Sequence, residues 1–381
     1  MQKKVLIIAE SYPNKSEPEF TFVQQLAKGL TKRKIKVTVI APQSITKLLF
    51  RGRVHRPVHW IDYGETGENY IDIYQPYFFS FSNTNCKVLN KIAYFSHLYA
   101  TSYIFKKHKI NTDVVYSYFW HIGIENLRIF KDTIIPVYVQ ASECNITLER
   151  WMHAEKYINK VAGVVCASEK NRIESISANL VSLNNTKLIV NGYDANLFYK
   201  EEKNIVRKKY CIPADAFVVI FVGGFIERKG PARIAEAINR CNGDIFSIFI
   251  GKGDNVPHCK NILFCGLVEH KNVVHYLNCA DVFVLPTLAE GCCNAIIEAL
   301  ACGLPIISSN MSFNDEIIDY TCSIRINPNN VDGIKEAIML LKSNPFLREK
   351  LAEGALKKVK NFSIEKRTEL IDDYLFSNKV W

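Results

Sequence analysis

Short apolar runs alternate with stretches of helical period along most of this chain. Lys4–Ala9 is strand-sized, Ser11–Pro18 reads as a turn, Phe20–Lys32 has helical spacing, and Lys36–Ala41 is a second strand. Strand, helix and strand in that order predict a parallel pair, because a tight turn joins only antiparallel strands. Runs at Asp113–Tyr118, Ile135–Gln140 and Gly163–Ala167 continue the series. A second series begins near residue 216, with strands at Val218–Val222, Ile245–Ile250, Ile262–Phe264, Val282–Leu285 and Pro305–Ile307. Helical patterns over 332–342, 346–360 and about 363–376 follow it. The fold class is therefore α/β, with two successive Rossmann-like units. Polar residues, lysines and Pro213 cluster at 196–215, which puts the first domain at 1–198 and the second at 199–360.

Length and composition agree, since 381 residues suit two domains, and 48% hydrophobic with 23% charged residues excludes disorder. No apolar run reaches the roughly 18 residues of a membrane span. Glu10 and Pro13 interrupt the N-terminal run where a signal peptide would continue, so a cytoplasmic protein is expected. The twelve cysteines are scattered without zinc spacing and read as reduced, mostly buried thiols. Residues 1–198 carry 25 Lys and Arg against 16 Asp and Glu, whereas 199–381 carry 23 against 22. A basic first half suggests an acidic partner such as anionic lipid or a lipid-linked phosphate. Without dense Lys/Arg runs or a known motif, nucleic acid is not expected as a partner.

The strongest local signal is Val282–Ser308, VFVLPTLAEGCCNAIIEALACGLPIIS. A strand ends at Leu285–Pro286, a loop carries Glu290 and Gly291, and a helix starts near Cys293–Asn294 with Glu298 inside it. Unsatisfied N–H groups at a helix start attract phosphate. Glu290 and Glu298 are acceptor-only groups that suit sugar hydroxyls and a ribose diol. Spacing alone fits a generic strand–loop–helix equally well. A Glu inside the apolar run Ala295, Ile296, Ile297, Ala299, Leu300 needs a polar partner, which favours function.

This stretch resembles the Glu-x7-Glu signature of glycosyltransferase family 4, the group 1 glycosyl transferases. FVGGFIERKG (Phe221–Gly230), VNGYD (Val190–Asp194), VVCASE (Val164–Glu169), IGKGD (Ile250–Asp254) and CGLV (Cys265–Val268) are similar to further family segments, as is SYPNKSEPEFTFVQQLAKGL near the N-terminus. The resemblance implies a GT-B fold, two Rossmann-like domains with parallel sheets facing a central cleft. It places the acceptor in 1–198 and the donor in 199–360, and has the last helix, within 361–381, pack back on the first domain. Lys229 and Arg228 would neutralise the donor phosphates, and Gly223 and Gly224 would let the backbone approach. Glu290 would bind the transferred sugar, Glu298 the ribose, and Gly291, Cys293 and Asn294 the phosphate or sugar, with Leu267 near the base. For Arg228 and Lys229, a solvated charge pair is the alternative, but cations at a helix start oppose its dipole and are better explained by an anionic ligand.

Two departures from the family pattern stand out. Gly224 occupies a position where the family often has Arg, and Gln140 one where it often has His, followed by Ala141 for Gly and Glu143 for Asp. Gln140 can bond a sugar hydroxyl but shuttles no proton. The implied reaction tolerates this, because the leaving diphosphate itself can take the acceptor proton. The implied activity is a retaining, metal-independent transferase with no cofactor. Its donor is a nucleotide-sugar, UDP- or GDP-linked, and its acceptor a glycan or lipid-linked saccharide of the cell envelope, of capsule, O-antigen or lipopolysaccharide type. A sugar-nucleotide epimerase of the same fold and a degenerate glycan-binding subunit are the rival readings. Among weaker signals, Gly251-x-Gly253 lacks a third glycine for dinucleotide binding, and His121, next to Trp120, reads as a buried structural histidine, with a place near the acceptor as the alternative. Lys47–Arg56, with four cations around Leu48, Leu49 and Phe50, is either a solvated loop or a peripheral contact with the anionic inner face of the cytoplasmic membrane.

Overall fold

The strands at the centre of each sheet bury both of their faces, as parallel strands covered by helices do. In the first, β1 (Lys4–Ile8), Val5, Leu6, Ile7 and Ile8 are all buried. The structure is a computed structural model that describes residues 2–13, 20–51, 56–63, 70–81 and 86–376. Most of the expected turn Ser11–Pro18, from Asn14 on, lies outside the described residues, as do positions 52–55 of the basic stretch. The chain forms two units, each with its own core.

The first unit comprises residues up to Ala167, Asn171–Ile189 and Thr368 onward. Its strands after β1 are β2 (Lys36–Ile40), β3 (Gln43–Ser44), β4 (His59–Tyr63), β5 (Tyr70–Tyr74), β6 (Tyr77–Phe78), β7 (Val114–Tyr118), β8 (Val137–Ala141), β9 (Val161–Cys166) and β10 (Thr186–Leu188). Among the described residues, eight of them form one sheet in the order β10-β9-β8-β7-β1-β2-β5-β4, while β3 and β6 pair separately. Pairing is parallel except between β4 and β5. Its helices are α1 (Thr21–Lys32), α2 (Ile45–Arg51), α3 (Lys87–Lys107), α4 (Trp120–Ile129) and α5 (Glu169–Ser177).

The second unit is Val190–Arg367 with Ser168–Lys170, so it starts ahead of the residue 199 expected from composition. Its helices are α6 (Lys203–Lys209), α7 (Pro231–Arg240), α8 (His270–Cys279), α9 (Asn294–Ala301), α10 (Val331–Ser343), α11 (Pro345–Val359) and α12 (Ile364–Phe376). Strands β11 (Val218–Val222), β12 (Phe246–Ile250), β13 (Ile262–Gly266), β14 (Val282–Leu285), β15 (Ile306–Ser309) and β16 (Ser323–Ile326) form an all-parallel sheet ordered β13-β12-β11-β14-β15-β16. From Thr368 on, α12 belongs to the first unit, where buried Asp372 accepts from Lys3 Nζ at 2.6 Å and Arg33 Nε at 2.8 Å.

Both sheets reverse strand order at one place: between β1 and β7 in the first unit and between β11 and β14 in the second. In open α/β sheets ligands bind beyond the carboxyl ends of the strands at that switch point. A ligand at such a point meets the residues that follow those four strands.

Candidate active site

In the second unit, the turn after β11 runs Gly223–Gly230 and the loop after β14 runs Pro286–Cys293. The two are laced together. Leu288 donates its amide to Arg228 O at 2.8 Å, and Arg233 Nη2 donates to Pro286 O at 2.9 Å. Gly230 makes the contact possible. Its φ is 76°, and a Cβ there would lie 2.9 Å from the Pro286 ring and carbonyl, so only glycine fits. Gly251, discounted as a dinucleotide signal, has a packing role: a Cβ would sit 1.9 Å from Gly223 O.

This lacing brings three expected residues together. Glu290 Oε1 accepts from Lys229 Nζ at 2.6 Å, Arg228 Nη1 at 3.1 Å and Thr287 Oγ1 at 2.9 Å, and the Glu290 side chain is only 7% exposed. Arg228 also donates to Ala289 O. Burial works to lower the Lys229 ammonium, but Cys293 and Glu290 more than offset it, so its pKa is raised and it stays charged. Two cations on one carboxylate leave one positive charge in excess at the switch point, which suits an anionic ligand.

Helix α9 starts beside this cluster. Cys293 is its N-cap and is buried, and burial pushes its thiol up to about 11, so it is neutral in ordinary buffers. Asn294 Oδ1 accepts from Asn191 Nδ2 at 2.9 Å, which anchors the helix start to the segment Val190–Asp194. Gly291 is buried in the loop. One turn into α9, Glu298 meets His270 Nε2 at 3.1 Å, at the first position of α8. Burial acts to lower the His270 pKa, while Glu298 and Asp194 raise it, and the net direction is up. Leu267, on the loop leading to α8, is 63% exposed. Gly223 lies by Lys229, whose Cδ would be 3.7 Å from an added Cβ. Gly224 faces open space, with no atom nearer than 4.0 Å to a Cβ placed there.

Thr287, Asn191 and His270 were not singled out from the sequence. Each stands far along the chain from its partner or in an unremarkable local pattern. The need of Glu298, inside an apolar run, for a polar partner is the one pointer to His270 in the sequence.

The first unit corrects two readings, those of Gln140 and His121. Gln140 is fully buried in β8 and accepts from Tyr116 Oη at 2.5 Å, so it is not presented to a ligand. Glu143 accepts the amides of Trp120 and Ser142, each at 2.8 Å, and so fixes the start of α4. His121 is not a buried structural residue: its side chain is 37% exposed and meets Glu10 at 2.7 Å, at the switch point between β1 and β7. Burial disfavours both charges, yet the pair raises the His121 pKa and lowers that of Glu10. Arg56 departs from both readings of the basic stretch, a solvated loop and a membrane contact, each of which would expose it. It is buried and donates to Tyr12 O at 2.6 Å. Among the described residues, no group of three or more His, Cys, Asp or Glu is placed to hold a metal ion.

Residues 202–358 match the family model described as glycosyl transferases group 1. Over 379 residues the chain is 23% identical to the putative teichuronic acid biosynthesis glycosyltransferase TuaC of Bacillus subtilis, covering 93% of each. Its fold is similar to that of sucrose-phosphate synthase from Thermosynechococcus elongatus (TM-score 0.77, 16% identity, 98% of each chain). It is also similar to HepE of Anabaena, solved in complex with UDP-glucose (TM-score 0.71, 17% identity, 98% of this chain and 99% of that one). Residues 202–358 are thus a segment of group 1 glycosyltransferase type, and the chain has the GT-B fold.

Proposed function

We propose that this glycosyltransferase moves a sugar from a nucleotide-sugar to a glycan or lipid-linked saccharide of the cell envelope, with retention of configuration and without a metal ion. The observation that carries the reading is the Arg228–Lys229–Glu290 cluster, with its excess positive charge beside the start of α9. A donor diphosphate seated there meets two cations and the unsatisfied amides of the helix. As the glycosidic bond breaks, charge grows on the leaving phosphate, and fixed cations stabilise it most at that moment. The same phosphate oxygen takes the proton of the attacking hydroxyl, so no protein base is required. Glu290 then accepts from the hydroxyls of the transferred sugar and Glu298 from the ribose. Envelope chemistry is favoured by the likeness to TuaC, and a uridine nucleotide by the likeness to HepE, whose structure holds UDP-glucose.

A peripheral contact with an anionic leaflet belongs to the same reading. On α3, Val88, Ile92, Phe95, Tyr99 and Tyr103 recur every three or four residues and are exposed. They form an apolar stripe flanked by exposed Lys87, Lys91, Lys106 and Lys107. Aromatic rings between lysines suit a headgroup boundary. No helix among the described residues is long and apolar enough to cross a membrane.

The deciding experiment is a thermal-shift screen against UDP-, GDP-, ADP- and CMP-linked sugars, with and without EDTA. A rise with one nucleotide, insensitive to EDTA and lost in Glu298→Ala, is the expected result. Anomeric coupling in the NMR spectrum of the product then tests retention. A shift that EDTA abolishes would overturn metal independence, and no shift at all would overturn the donor site.

A further inference from the structure

Glu298 holds one carboxylate oxygen in place and presents the other. Its Oε1 lies 3.1 Å from His270 Nε2, while Oε2 has no hydrogen-bond partner among the described residues. The side chain is 12% exposed and Oε2 is not sealed from solvent, so it borders space that a ligand can enter. We propose that His270 is a positioning residue that fixes Glu298 against a ribose diol, so that the second unit selects ribonucleotide-linked sugars over 2′-deoxyribonucleotide-linked ones. The inference rests on the donor reading above and specifies the class of nucleotide.

Both partners stand on helices anchored in the core. Glu298 lies one turn into α9, where Ile296, Ile297, Ala299 and Leu300 are buried. His270 opens α8, whose Val273, Val274 and Leu277 are buried, and its ring meets Phe198 edge-on with centroids 5.2 Å apart. A Glu side chain turns about several bonds, and fixing it on binding costs rotamer entropy. The bond from His270 fixes it beforehand, which favours binding. A carboxylate only accepts, so Nε2 carries the proton whether the imidazole is charged or neutral, and the orientation survives titration of the ring. Stability alone does not explain the pair, because apolar side chains of similar size in its place are often as stabilising.

The carboxylate offers about four lone-pair sites in all, of which His270 takes one. The neighbouring hydroxyls of a ribose can donate to those that remain. A 2′-deoxyribose has one such hydroxyl fewer, and a carboxylate largely shielded from water is left short of a donor. A site built to bond a hydroxyl rejects the analogue lacking it far more strongly than an apolar pocket rejects a missing methylene. Without His270, Glu298 turns to water instead, and the penalty on the deoxy ligand fades.

The test is isothermal titration of the full chain with UDP and GDP, each beside its 2′-deoxy counterpart. The wild type should bind one ribonucleotide about tenfold or more tighter than its deoxy form, the effect of a hydrogen bond to a charged group. His270→Phe, which keeps a ring against Phe198 and drops the N–H, should weaken the ribonucleotide about fivefold to tenfold and leave the deoxy form near its wild-type affinity. His270→Gln, whose amide can donate to the same oxygen, should restore most of the preference. A thermal melt checks that each variant is folded, and His270→Leu replaces His270→Phe if that one is not. Equal binding of ribo and deoxy forms by the wild type overturns the positioning role and leaves the donor site standing. So does a loss in His270→Phe that falls on both forms alike, as a purely structural role would give. Binding of neither nucleotide by the wild type overturns the donor reading and this inference with it.

Discussion

At its switch point the second unit holds its charged groups against one another. Glu290 is gripped by Lys229, Arg228 and Thr287, and Glu298 by His270. In the first unit, near the corresponding point, His97 Nε2 and Trp151 Nε1 are buried without hydrogen-bond partners among the described residues. The contrast separates two ways of meeting a ligand. A site of paired charges is already organised, and its net charge selects a class of ligand, a polyanion, with little regard to detail. A site with unmatched neutral donors and acceptors is completed only by a ligand whose groups fall in the right places. The donor proposed above suits the first way of meeting a ligand.

The sharpest way to break the comparison is Lys229→Ala. Losing one fixed donor to a developing anion costs about 10²–10³-fold in turnover. We expect kcat for transfer to fall by that order. A thermal melt must accompany the assay, since Glu290 keeps only Arg228 and Thr287 in the variant. A fall below about tenfold would remove Lys229 from the charge-stabilising role.

Gly224→Arg sharpens the same comparison by adding charge. The position has open space around a Cβ, so the turn accommodates a side chain. A third cation near the phosphates should tighten nucleotide-sugar binding about tenfold, the scale of one charge-assisted hydrogen bond. Isothermal titration with UDP-glucose and the other donors reads it directly. Unchanged affinity would mean that the phosphates do not sit by this turn.

The difference between the sites also governs how much of each was legible in the sequence. Parallel strands buried on both faces leave continuous apolar runs, so β1, β11 and β14 stand out. The proposed donor site lies in two compact segments, Gly223–Gly230 and Pro286–Glu298, so motif and geometry coincide. A cavity in the first unit draws on Glu10, His97, His121, Glu125 and Trp151 from separate elements, and no spacing links them. Gln140 misled because strand register decides its fate. Opposite Tyr118 in β7, it turns into the sheet's core, and only the fold determines that. The antiparallel pair β4–β5 was missed because its strands are half-exposed and leave no apolar run.

The exterior of the first unit supplies a smaller effect. Each cation near an anionic surface contributes about 1 kcal/mol, so Lys106→Gln with Lys107→Gln should lower binding to phosphatidylglycerol vesicles about tenfold or somewhat more. Tyr99→Ser should weaken it further by removing exposed ring surface from the stripe. Vesicle sedimentation at two salt concentrations separates the contributions, since only the lysine effect is screened. Equal binding by all variants would clear α3 of any role at the membrane.

The smallest expected effect tests whether the second unit's pairing is electrostatic in the way proposed. His270 has a raised pKa, because Glu298 and Asp194 outweigh the burial that acts to lower it. A histidine whose folded value lies above its unfolded value of about 6.5 contributes stability in full below that pH. The contribution fades as pH rises through the folded value, where the imidazolium loses its proton. The melting temperature of the wild type should therefore exceed that of His270→Gln most below pH 6.5, and the gap should narrow above it. The His121–Glu10 pair also titrates, but it is common to both proteins and cancels in the difference. Nucleotide adds a second condition. If Glu298 accepts from the ribose diol, saturating donor engages part of the carboxylate and makes the gap less dependent on pH. A gap that widens with rising pH would reverse the sign of the pairing, and one unchanged by nucleotide would place the ribose away from Glu298.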